Sequence, residues 1–128
     1  MSLPPSHPLT RFGLPESTLA TPELSHPQPD RLLQGNPLRE TWNCVESPVG
    51  GAQALYAGLW RCEPGHWRIA MGSTEQEVFT VLVGRCRVHS DAGGVQEAAA
   101  GQSIYIPAGF TGSFEVLEAV TKAYVILE

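Results

Sequence analysis

The sequence predicts an all-β domain of about nine short strands that follows a proline-rich N-terminal arm. Three observations lead to this prediction. Apolar and polar residues alternate with a period of two over short segments, as in half-buried strands. Glycine and proline interrupt the chain at the spacing typical of turns in an antiparallel sandwich or barrel. No long window shows the apolar period of a helix.

Length and composition limit the classes of function. The chain has 128 residues, which suits one domain with one core. Eight Lys and Arg against 13 Asp and Glu give a net charge of -5, so nucleic acid is not an expected partner. No apolar run is long enough to cross a bilayer, so no membrane partner is expected. The N-terminus does not resemble a secretory signal, and three widely spaced cysteines suggest a reducing compartment. We therefore expect a cytoplasmic location.

Residues 1–40 are predicted to form the arm, and residues 41–128 the barrel domain. The segment up to Pro37 contains eight of the 11 prolines. Proline fixes φ and has no N–H to donate, so the arm can be neither a long helix nor a central strand. Its leucines follow no period, which suits an extended segment that lies over the barrel or over a partner subunit. The arm is thus one reason to expect a homodimer.

The barrel strands are separated by short turns. Gly84 is interpreted as a tight reversal between two of them, and Asp91–Gly94 is a strong hairpin signal. Pro107 and Gly109 stop another strand. The predicted strands are residues 41–46, 52–62, 66–71, 77–83, 85–89, 95–99, 103–106, 112–117 and 121–127.

Two short motifs in this order of elements resemble those of the cupin superfamily. Glu77 and Gly84 match the end of the first cupin motif, and Gly101, Pro107 and Gly109 match the opening of the second. The resemblance covers residues 42–128 and implies a double-stranded β-helix of the jelly-roll type. Within the superfamily, the segments GLWRCEPGHWRIA, IYIPAGFTGSFEVLE and KAYVILE look like cupin domains of the (S)-ureidoglycine aminohydrolase and ethanolamine-utilisation type, which are mostly of unknown function. Cupins commonly pair, a second reason to expect a homodimer.

The motifs depart from the cupin pattern at the metal ligands. The first histidine pair would fall at Met71 and Ser73, or with longer spacing at Ala70 and Gly72, and the third histidine at Gly112. None of these residues supplies an imidazole, whereas a catalytic zinc site needs three protein ligands. We therefore expect no metal held in the usual cupin way and no other cofactor.

Two histidines lie in the barrel domain outside those positions. His66 opens a strand and His89 precedes a hairpin turn. Exposed or locally hydrogen-bonded histidine is commoner than ligated histidine, so both are interpreted as surface residues.

Strand alternation predicts which side chains share a face with Glu77. Lys122 and Tyr124 share a face of the last strand, but the pattern leaves open which way that face points. The result would be a mostly apolar pocket with few polar anchors, as in most ligand sites. The predicted binding residues are Trp67, Met71, Ser73, Phe79 and Phe114.

Three functions stay open at this point. The first is a metal-independent cupin domain that binds a small molecule of unknown identity. The second is a hydrolase, isomerase or lyase that uses Glu77 with Lys122 or Tyr124 as acid and base. The third is a non-catalytic dimeric interaction module, in which the aromatic side chains simply fill the barrel.

Overall fold

The computed structural model of the protein describes residues 7–128, and it confirms the all-β prediction. Residues 1–6 of the predicted arm lie outside the described residues. Two short 3-10 helices, Glu16–Thr18 and Pro29–Arg31, lie in the arm, and within residues 7–128 no helix is long and apolar enough to span a membrane. The strands are β1 (Glu23–Ser25), β2 (Leu32–Gln34), β3 (Arg39–Gly50), β4 (Gln53–Cys62), β5 (Gly65–Ala70), β6 (Gln76–Ser90), β7 (Val95–Ala99), β8 (Ser103–Ile106) and β9 (Thr111–Leu127).

The last strand, β9, is the centre of the sheet. Along one edge it pairs antiparallel with β6 over nearly its whole length. Along the other edge its first half pairs with β5 and its second half with β4. The strand order is therefore β1-β3-β4-β9-β5-β2, and β6 adds β7 and β8 on its far side. This single curled sheet encloses the core and the cavity described below.

Two of the predicted turns are wrong, because β6 and β9 are each one continuous strand. Gly84 adopts φ +84° within β6, and a Cβ there would lie 2.1 Å from the carbonyl oxygen of Ala119 on β9. The register with β9 shifts between Val81 and Cys86, which is the signature of bulges. Gly84 therefore bends one long strand instead of reversing the chain. The predicted break between residues 117 and 121 is likewise absent, since β9 runs through it.

The arm contributes two strands to the same sheet. β1 pairs with β3, and β2 pairs with β5, so the two arm strands lie at the two ends of the strand order. Edge positions suit a proline-rich segment, because an edge strand tolerates missing N–H donors. These two strands of the arm thus lie on the barrel of their own chain. The boundary at residue 40 stays a prediction.

The two-residue period places the core. On β6, Glu77, Phe79 and Val81 are buried, whereas the intervening Val78 is 47% exposed. This alternation is the one that the sequence predicts. Phe79 and Val81 pack with buried side chains from β5, β8 and β9, namely Trp67, Ile104, Ile106, Phe114, Val116, Val120 and Tyr124.

Candidate functional site

A cavity of about 460 Å³ opens inside the curled sheet. This volume lies in the range of roughly 300–1,000 Å³ that is usual for small-molecule pockets. Glu23 and Ser25 of the arm form part of its wall, so the arm helps to build the site. The other lining residues are Arg39, Thr41, Asn43, Tyr56, Trp60, Trp67, Ile69, Met71, Glu75, Glu77, Ile106, Phe114, Lys122, Tyr124, Ile126 and Glu128.

A buried ion pair lies in this cavity. Lys122 Nζ donates a hydrogen bond to Glu77 Oε2 at 2.8 Å, and the side chains of Lys122 and Glu77 are only 7% and 11% exposed. On paired strands, Lys122 lies opposite Val81, and Glu77 lies opposite Ile126. The lysine side chain therefore crosses the face diagonally to reach the carboxylate. Because each charge neutralises the other, both can remain in a low-dielectric environment.

Three aromatic rings surround the ammonium group of Lys122. Its Nζ lies 4.2 Å from the ring centroid of Phe79, 4.5 Å from that of Trp60 and 4.8 Å from that of Phe114. The negative faces of aromatic rings attract a cation at these distances. The three rings and Glu77 together fix the lysine in one position.

The aromatic side chains also pack against one another to form one wall. Trp60 meets Phe114 edge to face, with ring centroids 5.5 Å apart and an interplanar angle of 78°. Trp67 packs on the same phenylalanine at 5.3 Å. These are the offset and edge-on geometries that aromatic pairs prefer. The wall therefore presents a rigid apolar surface to whatever enters the cavity.

Tyr124 provides a polar group on another side of the cavity. Its hydroxyl donates a hydrogen bond to Asn43 Oδ1 at 2.8 Å. Burial, and to a lesser degree the neighbouring Cys44 and Glu77, raises the pKa of Tyr124 well above its usual value. The phenol is therefore protonated at neutral pH and acts as a hydrogen-bond donor. The amide nitrogen of Asn43 still has donors to offer a ligand.

Arg39 carries a positive charge in the cavity wall. Its guanidinium lies 5.7 Å from the centroid of the Trp67 ring and donates hydrogen bonds to Ser25 Oγ at 3.1 Å and His26 O at 3.0 Å. Burial lowers the pKa of Arg39 from its usual value. Sequence reasoning missed Arg39 and Asn43, although alternation along β3 places Arg39, Thr41 and Asn43 on one face.

The structure brings most of the predicted site residues together. Glu77, Lys122 and Tyr124 line the cavity, which resolves the direction of the Lys122 face. Ser73 is exposed in the turn between β5 and β6 and does not line the cavity. The catalytic and binding roles of all these residues stay predictions. The predicted binding residues in the cavity wall are Trp67, Met71 and Phe114, and Phe79 is buried beneath the lysine.

A second group of polar side chains lies on the outer face of the sheet. His66 Nε2 lies 2.7 Å from Ser113 Oγ, and His89 Nε2 lies 2.8 Å from Glu115 Oε1. The two imidazole centroids are 5.1 Å apart. Burial lowers the pKa of His66, and Glu115 partly opposes that shift. The sequence pattern indicates that His66 and His89 are separate surface residues. The pairing of β5, β9 and β6 brings the two side chains together.

The sequence of this chain also matches a protein-family model. The model for the EutQ-like cupin domain matches residues 49–124. The chain belongs to the EutQ-like cupin family. This finding confirms the resemblance to ethanolamine-utilisation cupins, and the chain has the double-stranded β-helix fold of the cupins. No curated protein sequence matches the chain significantly.

Solved structures show the same fold. A DUF861-family protein of unknown function from Pseudomonas syringae pv. tomato superposes with a TM-score of 0.72 at 20% identity, over 84% of this chain and 45% of that protein. The chain thus spans less than half of its length. The EutQ protein of Clostridium difficile gives a TM-score of 0.56 at 22% identity, over 81% of this chain and 79% of that one. The cupin domain of Schizosaccharomyces pombe Cnp3 gives 0.52 at 16% identity, over 69% and 63%.

The residues of this chain do not fit the interior metal site that the two general cupin motifs imply. Met71 lines the cavity but offers only a thioether, and Ser73 is exposed in its turn. A Cβ at Gly112 would lie 1.9 Å from the carbonyl oxygen of His89, so no side chain fits there. Glu77, the carboxylate that remains of the motif, is bound to Lys122. These positions therefore do not provide the ligand set of an interior metal.

Proposed function

We propose that this cupin binds a small metabolite in its cavity without a metal ion. The observation that supports this best is the buried pair of Glu77 and Lys122 at the aromatic wall of a cavity of about 460 Å³. The ammonium group supplies, within the barrel, a fixed positive charge of the kind that a metal ion supplies elsewhere in the superfamily. A ligand would then be held by aromatic contact and by a few polar groups, among them Arg39, Asn43 and Tyr124.

Binding can be measured by tryptophan fluorescence, because Trp60 and Trp67 both line the cavity. We expect members of a panel of small acids, amines and ureides to change the emission saturably and to raise the melting temperature. Ile69→Trp would narrow the cavity and should weaken both effects. Val95→Trp is the control, because Val95 is 51% exposed and does not line the cavity. Ligand binding that is equally tight in Ile69→Trp and in the wild type would contradict the proposal.

Catalysis at the same site is the second candidate function. The short contact between Glu77 and Lys122 favours it, because a fixed carboxylate and ammonium can accept and donate protons. Tyr124 can serve as a proton donor but not as a base, because burial keeps its phenol protonated at neutral pH. Glu77→Gln separates the candidates when it is assayed under conditions where circular dichroism shows the variant to be folded. A hydrolase, isomerase or lyase that uses Glu77 then loses turnover, whereas a binding domain has no turnover to lose.

A purely structural interaction module is the third candidate, and the open cavity argues against it as the whole function. Homodimerisation stays a separate expectation, and exposed apolar side chains on the outer sheet face support it. Val78 lies opposite Tyr105 on β8 and opposite Val125 on β9. The three side chains are 47%, 56% and 42% exposed. We propose that this apolar row pairs with its copy in a second chain. A cytoplasmic location also stays an expectation.

A further inference from the structure

Three metal-ligating side chains meet on the outer face of the sheet, away from the cavity. Each lies next to a buried core residue in its strand, so each side chain points outward. His66 precedes Trp67, His89 follows Val88, and Glu115 follows Phe114. Glu115 lies opposite His66 across the β5–β9 ladder, and His89 lies on β6, the strand on the other side of β9. Three neighbouring strands thus contribute one potential ligand each.

The spacing of the three side chains is close to that of a metal site. One ligand atom from each lies within 4.8 Å of the others. Two ligands at about 2.0–2.1 Å from a tetrahedral Zn²⁺ ion lie about 3.3 Å apart. His89 Nε2 and Glu115 Oε1 are 2.8 Å apart, so they need to separate only slightly, and His66 needs to rotate toward them. The sheet already holds the three backbones in register.

The neighbouring charges leave the carboxylate of Glu115 to the imidazoles. Arg68 is paired with Asp91 at 2.7 Å. Arg87 lies opposite Glu115 and attracts its charge, but the hydrogen bond of its guanidinium goes to Glu97 at 2.7 Å. The hydrogen bond of the Glu115 carboxylate is the one to His89. Two imidazoles and one carboxylate form a donor set that suits zinc and other first-row transition metals.

We propose that His66, His89 and Glu115 bind one divalent transition-metal ion, with Zn²⁺ as the reference metal, on the outer sheet face. Three protein ligands leave a fourth position for water or for an exogenous group. This site is independent of the cavity and of the interior position where other cupins hold a metal.

Titration of tag-free protein with ZnCl₂ by calorimetry tests the proposal. We expect saturation at one ion per chain, a higher melting temperature, and tetrahedral absorption bands with Co²⁺. His66→Ala/His89→Ala should weaken Zn²⁺ binding by at least about 100-fold, the upper end of what loss of an outer-sphere partner costs. The chain has four histidines, so His7→Ala/His26→Ala is a matched control that keeps two and should bind Zn²⁺ like the wild type.

One further variant makes the outcome decisive. Glu115→Gln keeps both imidazoles and the side-chain size, and it should weaken binding by at least about tenfold even if the double histidine variant does not fold. The proposal is overturned if the wild type shows no one-to-one binding, if Glu115→Gln binds like the wild type, or if the two histidine double variants bind alike.

Discussion

At the residue scale, a buried pair of Glu77 and Lys122 lies at the first cupin motif. The carboxylate of the first cupin motif is retained, but it faces an ammonium group within an aromatic cage. Removing one partner of a buried pair leaves an uncompensated charge, which is far costlier than losing an exposed pair. The stability of the barrel should therefore depend strongly on Lys122.

We expect Lys122→Met to lower the free energy of unfolding by about 3–5 kcal/mol, because Glu77 is left buried without a partner. Urea denaturation at neutral pH measures this change. Arg68→Met is the matched control: it breaks an ion pair of similar length, 2.7 Å to Asp91, between side chains that are 48% and 45% exposed. Its cost should stay below about 1 kcal/mol. Equal costs for the two variants would show that Glu77 is not isolated from solvent.

The buried cysteines should lower the stability of the fold at alkaline pH. Burial raises the pKa of Cys62 to about 12 and that of Cys86 to about 11, from an ordinary value of 9.0. The unfolded chain therefore loses these protons first. The buried thiols contribute their full stabilisation below the ordinary pKa of 9.0. The free energy of unfolding should fall as the pH rises from there toward the pKa values of the folded state.

Urea denaturation between about pH 8 and pH 11 should show this loss of stability, and Cys86→Ala should make the decline shallower. Cys44→Ala is the control, because Cys44 is only partly buried and should account for less of the slope. An unchanged slope in Cys86→Ala would mean that its thiol ionises equally in both states.

The sequence predicts single residues of the site better than their contacts. Alternation correctly places Glu77 beside Phe79 on an inward face, because it depends only on the two-residue period. The contact of Glu77 with Lys122 depends on the register between β6 and β9, which local pattern does not encode. The cluster of His66, His89 and Glu115 is missed for the same reason: each is visibly an outward residue, but only strand pairing makes them neighbours.

At the element scale, a glycine in the sequence does not by itself distinguish a turn from a bulge within a strand. Gly84 and Gly101 both have positive φ, +84° and +87°, yet Gly84 bends a strand and Gly101 lies in the turn after β7. The difference comes from the partner: the backbone of Ala119 lies against Gly84, whereas nothing lies within 4 Å of a Cβ at Gly101. Turn positions can thus be predicted locally, but bulges in paired strands require knowledge of the partner.

Gly84→Ala should destabilise the barrel more than Gly101→Ala. Both substitutions force alanine into the left-handed region, which costs about 1–2 kcal/mol. Gly84→Ala also drives its Cβ into the Ala119 carbonyl and must separate β6 from β9. Thermal and urea unfolding of the two variants measure the difference directly. Similar losses in both variants would mean that β6 and β9 adjust freely at the bulge.

At the scale of the whole molecule, the apolar row of Val78, Tyr105 and Val125 crosses three adjacent strands. Exposed apolar side chains that are contiguous often mark an interaction surface. A pair related by a two-fold axis would bury the row against itself. Within the described part of the arm, β1 and β2 pair with strands of their own chain, and the row stays exposed.

Light scattering after size-exclusion chromatography should therefore find a dimer for the wild type and a monomer for Val78→Glu, because the charge would face its own copy. Val83→Glu is a matched control on the same strand, since Val83 is 48% exposed and Val78 is 47% exposed. It should remain dimeric. A dimer that tolerates Val78→Glu would place the interface elsewhere, and a monomeric wild type would end the expectation.

The position of β9 in the chain also bears on how the protein is made. β4, β5 and β6 all precede β9, and each needs it as a partner. The N-terminal part of the chain emerges from the ribosome first. These strands therefore have unpaired backbone N–H and C=O groups until residues 111–127 follow. Closure of the barrel is then dominated by long-range pairing, which slows folding. Nascent chains of this protein should accordingly need protection from aggregation until β9 has emerged from the ribosome.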